Sequence, residues 1–204
     1  MIEKSWYISD EEVNMWEKII PVCDVIFDVG CQNDNIFYDI NPNVKEVHLF
    51  DPNVSDVLLN KIRDKKNIFF SNFGLGNINE EKEFYYYYGS FLHRTEEPKF
   101  NNFHQSKKTK IKRLYDYVNE NNIDHIDFLK IDTEGFDFEV LKGCGDFINN
   151  IKYIEFENFI NFYDNKKIDD IFNYFKDWNI YYVSGNPVNY LITKENIDFL
   201  KKIN

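Results

Sequence analysis

The sequence predicts an α/β fold built on one doubly wound, mostly parallel sheet that closes with a C-terminal antiparallel hairpin. Three observations predict it. Compact apolar runs at 23–29, 46–50 and 126–131 each end in or run straight into an acid, at Asp28-Val29-Gly30, Asp51-Pro52 and Asp132. Such runs read as strands buried on both faces. Stretches of helical spacing separate them, as parallel crossovers require. Finally, the runs 180–183 and 188–193 flank Gly185-Asn186-Pro187, a turn signal between two strands. In such a sheet, ligands bind beyond the carboxyl ends of the strands, where the strand order reverses.

Taken in order, Ser9 and Glu12 form a capping box, and Val13, Trp16, Ile19 and Ile20 repeat at helical spacing until Pro21. A short amphipathic helix is therefore expected within residues 1–22. Two parallel strands follow at 23–29 and 46–50, a crossover helix at 55–63, and a third strand at 67–70 leading into Ser71-Asn72-Phe73-Gly74. Residues 84–88 read as an extra strand. Residues 89–110 lose periodicity and collect Pro, Asn, His and Lys, so a long loop over the substrate site is expected there. Beyond it come a helix at 114–120, a strand at 126–132, a helix at 135–142 ended by Gly143, a strand at 152–157 and a helix at 168–178.

The 204 residues suit one domain, 43% hydrophobic and 18% aromatic, which excludes a disordered chain. A formal net charge of -11 disfavours nucleic acid and anionic membrane as partners, since both need a positive field. Cys23, Cys31 and Cys144 form neither a C-x-x-C pair nor a disulfide framework. With no signal-peptide run and no apolar stretch of roughly 18–20 residues, a soluble, cytoplasmic protein is expected.

The turn after the first strand must bring backbone close to a ligand, and Gly30 removes the side chain that would block it. Asp28 can hold an ammonium, and Asp51 can accept hydrogen bonds from both hydroxyls of a ribose. Either aspartate alone is as readily a turn or cap residue. A nicotinamide cofactor fits poorly, because Gly30-Cys31-Gln32-Asn33-Asp34-Asn35 lacks the G-x-G-x-x-G phosphate cradle and Asp34 would repel a pyrophosphate. A cofactor without phosphates but with a sulfonium and an ammonium suits this acidic rim, which points to S-adenosylmethionine.

The most specific segment is Ile126-Asp127-Phe128-Leu129-Lys130-Ile131-Asp132-Thr133-Glu134-Gly135-Phe136, continuing to Leu141-Lys142-Gly143. With Asp28-Val29-Gly30, Phe50-Asp51-Pro52, Gly89-Ser90 and Glu155-Phe156-Glu157, it resembles the FkbM family of S-adenosylmethionine-dependent methyltransferases. The resemblance implies a Rossmann-like, seven-stranded class I methyltransferase fold and methyl transfer to a hydroxyl of a sugar, glycan or related small metabolite. It implies Asp28, Gly30, Gln32, Asp51, Pro52, Asn72 and Asp132 as cofactor contacts, and Asp132 and Glu134 as acids beside the transferred methyl. The sequence departs from the family pattern at Asp34 (usually a second glycine), Asp51 (usually Glu) and Tyr115 (usually Asp).

Oxygen methylation needs a positioned hydroxyl and a group to take its proton. Asp132 is the first candidate, with orientation of the cofactor or a cap before Gly135 as its other role; His93, with an ordinary pKa near neutrality, is the second. Asp132, Glu157 and Asn158 form a weaker candidate set for one magnesium ion. Tyr85–Tyr88 can stack on sugar rings or form a strand with alternate rings buried. Lys107, Lys108, Lys110, Lys112 and Arg113 can meet a phosphate or form a solvated face. An RNA ribose methyltransferase and a noncatalytic binding module are the alternative functions.

Overall fold

The computed structural model of the chain describes residues 8–32, 37–87, 90–92, 105–158, 165–185 and 188–203. Strands β1 (Val25–Val29), β2 (Glu46–Phe50) and β3 (Ile68–Ser71) come first. β4 (Gly74–Gly76), β5 (Glu80–Tyr87), β6 (Ser90–Leu92) and β7 (Gln105–Arg113) follow. The chain then forms β8 (Ile126–Ile131), β9 (Ile151–Asn158), β10 (Asn179–Gly185), β11 (Val188–Thr193) and β12 (Lys201–Lys202). Between them lie helices α1 (Asp10–Ile19), α2 (Phe37–Ile40), α3 (Asp56–Ile62), α4 (Leu114–Glu120), α5 (Asp137–Gly143) and α6 (Asn165–Tyr174).

The central sheet has the order β12-β10-β11-β9-β8-β1-β2-β3. β1, β2, β3, β8 and β9 pair in parallel, and β11 runs antiparallel to both β9 and β10. The expected seven strands are therefore eight, in a mixed sheet. The eighth is β12, which takes the outer edge, so the antiparallel pair does not end the sheet. Without it β10 would present unpaired backbone groups, and Ile203 extends the cover by donating its N–H to the Ile180 carbonyl at 2.8 Å.

Alternation along the strands divides the core between the two faces. Phe27, Val29, Leu129, Ile131, Ile154 and Phe156 face one side, with Leu114 and Val118 of α4, Val140 and Leu141 of α5, and Ile171 of α6. Ile26, Leu49, Phe128 and Leu191 face the other, with Met15, Trp16 and Ile19 of α1, Phe37 of α2 and Leu58 of α3. Each such fully buried large side chain contributes about 1.5–3 kcal/mol. The doubly wound arrangement expected from the sequence is present. The Ser9 cap is also present, with the Glu12 N–H donating to Ser9 Oγ at 3.1 Å and the Ser9 N–H to Glu12 Oε2 at 3.0 Å. Among the described residues no helix is long and apolar enough to cross a membrane.

Two expectations are overturned. Residues 89–110 are not simply a loop, because Ser90–Leu92 and Gln105–Arg113 are strands of a second sheet, ordered β4-β7-β5-β6. Cross-strand pairing decides this: Glu81 stands opposite Lys110 and Glu83 opposite Lys108, so the acidic strand β5 neutralises the basic run of β7. The helix expected at 135–142 begins instead at Asp137, and Gly143, at which it does end, is its last residue, with Cys144 as the C-cap. A Cβ on Gly143 would lie 2.0 Å from the Gly76 carbonyl oxygen, so this glycine lets α5 lie against β4.

Candidate active site

Strand order reverses between β1 and β8, and the loops beyond their carboxyl ends are cross-linked by backbone. The Asp132 N–H donates to the Val29 carbonyl at 2.9 Å, the Gly30 N–H to Phe50 at 2.8 Å, and the Asp51 N–H to Ser71 at 3.3 Å. The first three strands and β8 thus deliver Asp28, Asp51, Asn72 and Asp132 to one end of the sheet.

Gly30 also meets a requirement set by the protein itself. Its φ is +92°, and a Cβ there would lie 1.8 Å from the Asp132 carbonyl oxygen. The glycine lets the β1 and β8 loops touch. Gln32 (φ +39°) and Glu134 (φ +53°) are two of the three non-glycine residues with positive φ among those described. Both sit in these loops, so uncommon backbone geometry concentrates at the site.

Asp51 is 5% exposed and holds the turns together: its Oδ2 accepts from the Gln32 N–H at 2.8 Å and its Oδ1 from the Asn53 N–H at 2.6 Å. Each oxygen keeps a second lone pair for a ribose hydroxyl. Burial raises the Asp51 pKa against the pull of those N–H groups, and the charge of Asp132 adds to the rise. Pro52 accepts at its carbonyl from Lys107 Nζ at 2.8 Å, which ties the second sheet to this turn. Asn72 is exposed at the end of β3.

Asp28 is 4% exposed, and its register partner on β8 is Lys130, whose own partner on β9 is Glu155. The three form a row of ionisable side chains across the sheet. Lys130 Nζ donates to Asp132 Oδ2 at 2.9 Å. Burial works against the Lys130 charge, but Asp132, Asp28 and Glu155 outweigh it and hold the ammonium well above its ordinary pKa. Burial also works against the Asp132 charge; Lys130 and a hydrogen bond from Glu157 prevail, leaving its pKa below the ordinary value. Glu157 is pushed up to about 11, by burial first and then by the charge and hydrogen bond of Asp132.

The magnesium set fits poorly with this arrangement. Asp132 already pairs with the Lys130 ammonium at 2.9 Å and is hydrogen-bonded to Glu157, so two of the three proposed donors are engaged. Among the described residues, no group of three or more His, Cys, Asp and Glu side chains is arranged to hold an ion. Asn158 instead lies beside Tyr190, to which it is hydrogen-bonded. His93, Asp34, Tyr88 and Gly89 lie outside the described residues.

Two contributors were missed in the sequence. Asp127 Oδ2 accepts from the N–H groups of Asp24 (2.7 Å) and Val25 (3.0 Å), clamping the start of β1 to the start of β8. Glu155, 1% exposed inside β9, accepts from Trp16 Nε1 at 2.6 Å. Both stood in segments that carry the resemblance, at Ile126-Asp127-Phe128 and Glu155-Phe156-Glu157, but nothing local marked the role of Glu155, whose partner is 139 residues away.

An open sheet with antiparallel strands at one side, acids near the carboxyl ends of β1, β2 and β8 and a site at the reversal of strand order defines a methyltransferase-like α/β protein. A family model described as the methyltransferase FkbM domain matches residues 24–181, and the chain belongs to that family. The chain is similar in fold to a crystal structure titled methyltransferase FkbM, from Methylobacillus flagellatus KT, with a TM-score of 0.56 and 14% identity. The match covers 83% of this chain and 43% of that one, so the chain spans less than half the length of that protein. No curated protein matches.

Proposed function

We propose that the protein is an S-adenosylmethionine-dependent O-methyltransferase whose acceptor is a hydroxyl of a sugar, glycan or related small metabolite. The observation that carries this reading is the gathering of Asp28, Asp51 and Asp132 at one end of the sheet, with Asp132 held charged by Lys130. An acidic rim suits a ligand bearing a sulfonium and an ammonium, and Asp51 has free lone pairs for ribose hydroxyls. When bound, S-adenosylmethionine supplies a methyl group on a positively charged sulfur, a good leaving group.

The chain's own residues have three tasks. Asp28 and Asp51 hold the two polar ends of the cofactor, while Gln32, Pro52 and Asn72 line the turns around it. Asp132 accepts a hydrogen bond from the acceptor hydroxyl and takes its proton as the new oxygen–carbon bond forms. A carboxylate with a lowered pKa is a weak base toward a ground-state alcohol, so the proton moves only as the hydroxyl grows acidic near the transition state. Glu134, on the same loop, is the second acid beside the methyl. The net charge of -11 and the pairing of Lys108 and Lys110 with acids favour a small neutral acceptor over RNA. The free, buried cysteines suit an intracellular setting.

Titration calorimetry with S-adenosylmethionine and S-adenosylhomocysteine tests the reading. Both are expected to bind, and Asp51→Ala to weaken them about 10–100-fold, the loss of two hydrogen bonds to a buried acid. Asp132→Asn is expected to bind both and to lose about 100-fold or more in kcat. Binding of neither ligand by the wild-type protein would leave a noncatalytic module.

A further inference from the structure

The second sheet reaches the site at one rung. Phe84 of β5 stands directly opposite Lys107 of β7, and directly opposed residues of an antiparallel pair project from the same face. Phe84 is buried and meets Phe136, just beyond the loop bearing Asp132 and Glu134, edge-on with ring centroids 5.9 Å apart. Lys107 donates from Nζ to the Pro52 carbonyl at 2.8 Å. This rung therefore touches both sides of the site, the turn after β2 and the loop after β8. Strand parity also separates Lys107 from the rest of the basic run. It shares a face with the buried Thr109 and Ile111, whereas Lys108 and Lys110 are exposed on the other face, opposite Glu83 and Glu81.

Proline has no N–H, so its carbonyl is the group through which hydrogen bonding can fix Pro52. The rest of the turn is held around Asp51, whose N–H donates to the Ser71 carbonyl and whose carboxylate accepts from the N–H groups of Gln32 and Asn53. The bond from Lys107 fixes the one residue these contacts leave out, and a charged donor makes it a strong bond. We infer that Lys107 is a positioning residue for the cofactor: reaching in from the second sheet, it fixes the Asp51-Pro52 turn so that Asp51 presents its free lone pairs to the ribose hydroxyls in a preset orientation. The inference deepens the methyltransferase reading and rests on it for the identity of the ligand. A turn ordered before the ligand arrives loses less freedom on binding, so releasing it lowers affinity although Lys107 acts through Pro52 and Asp51.

The test compares the full chain with Lys107→Met, which keeps most of the stem and removes the donor, and with Lys107→Arg, which restores one. Lys107 is exposed, so both variants are expected to fold. Amide hydrogen exchange is followed by NMR without ligand. The Asn53 amide is expected to exchange about 3-fold or more faster in Lys107→Met and to return toward the wild-type rate in Lys107→Arg, with the β2 amides unchanged. Titration calorimetry with S-adenosylhomocysteine is expected to show binding about 3–10-fold weaker in Lys107→Met, and near wild type in Lys107→Arg and in Lys108→Met, which removes the neighbouring charge from the other face. Unchanged exchange at Asn53 overturns the inference, as does equal affinity in the wild type and Lys107→Met. A loss in Lys108→Met as large as that in Lys107→Met also overturns it, because net charge rather than position would then be responsible. Failure of the wild type to bind S-adenosylhomocysteine sinks the enzyme reading, and the cofactor role with it; the exchange result, obtained without ligand, separates that failure from a turn that Lys107 does not hold.

Discussion

Gly30 and Glu155 illustrate two ways in which one residue constrains this site. Gly30 combines a left-handed φ of +92° with contact against the Asp132 carbonyl, so Gly30→Ala adds both backbone strain and a steric clash. A destabilisation of about 3–5 kcal/mol is expected, read from the shift in urea midpoint. Glu155 has a pKa raised well above the ordinary carboxylate value, by burial first and then by Glu12, against the pull of Lys130 and Trp16. A carboxyl whose folded pKa is raised stabilises fully below its unfolded pKa, near 4.5, and that stability is lost as pH rises toward the folded value. Glu155→Gln keeps an acceptor for the Trp16 indole and cannot ionise. Its Tm is therefore expected to match the wild type below about pH 4.5 and to exceed it progressively as the pH rises above that, by roughly 2–4 °C for each kcal/mol gained. Asp28, Asp51 and Asp132 were legible because an acid directly after an apolar run marks the carboxyl end of a buried strand. Glu155 was not, because a charge inside such a run is explained only by partners brought by folding.

At the scale of elements, α5 is placed by the absence of one side chain. A Cβ at Gly143 would sit 2.0 Å from the Gly76 carbonyl, so Gly143→Ala must push α5 away from β4, breaking the packing beside the Asp132–Phe136 loop. A loss of about 2–4 kcal/mol is expected in chemical denaturation. Most elements were legible: the predicted crossover helix at 55–63 is α3 with Ser55 as its cap, and β11 matches its predicted bounds. Of the second sheet only β5 was legible, through the strand expected at 84–88. In β7 the buried Thr109 and Ile111 alternate with Lys108, Lys110 and Lys112, a period of two hidden by the lysines. Only the opposing acids of β5 make that pattern stable as a strand, and pairing between distant segments leaves no mark in either sequence alone.

For the whole molecule, the alternation of strands and helices was enough to place a ligand site at the reversal between β1 and β8. It did not reveal that β12 covers the outer edge of the sheet or that α1 reaches the ionisable row beneath the site, since both depend on contacts between segments far apart in sequence. The contact between Gly30 and the Asp132 carbonyl has a further consequence. The turn assigned to the cofactor and the loop bearing the acid are wedged together, so neither can be remodelled without the other. Diversification of the acceptor, by natural drift or by protein engineering, therefore falls to parts outside this wedge, such as the second sheet, anchored at Pro52 through Lys107.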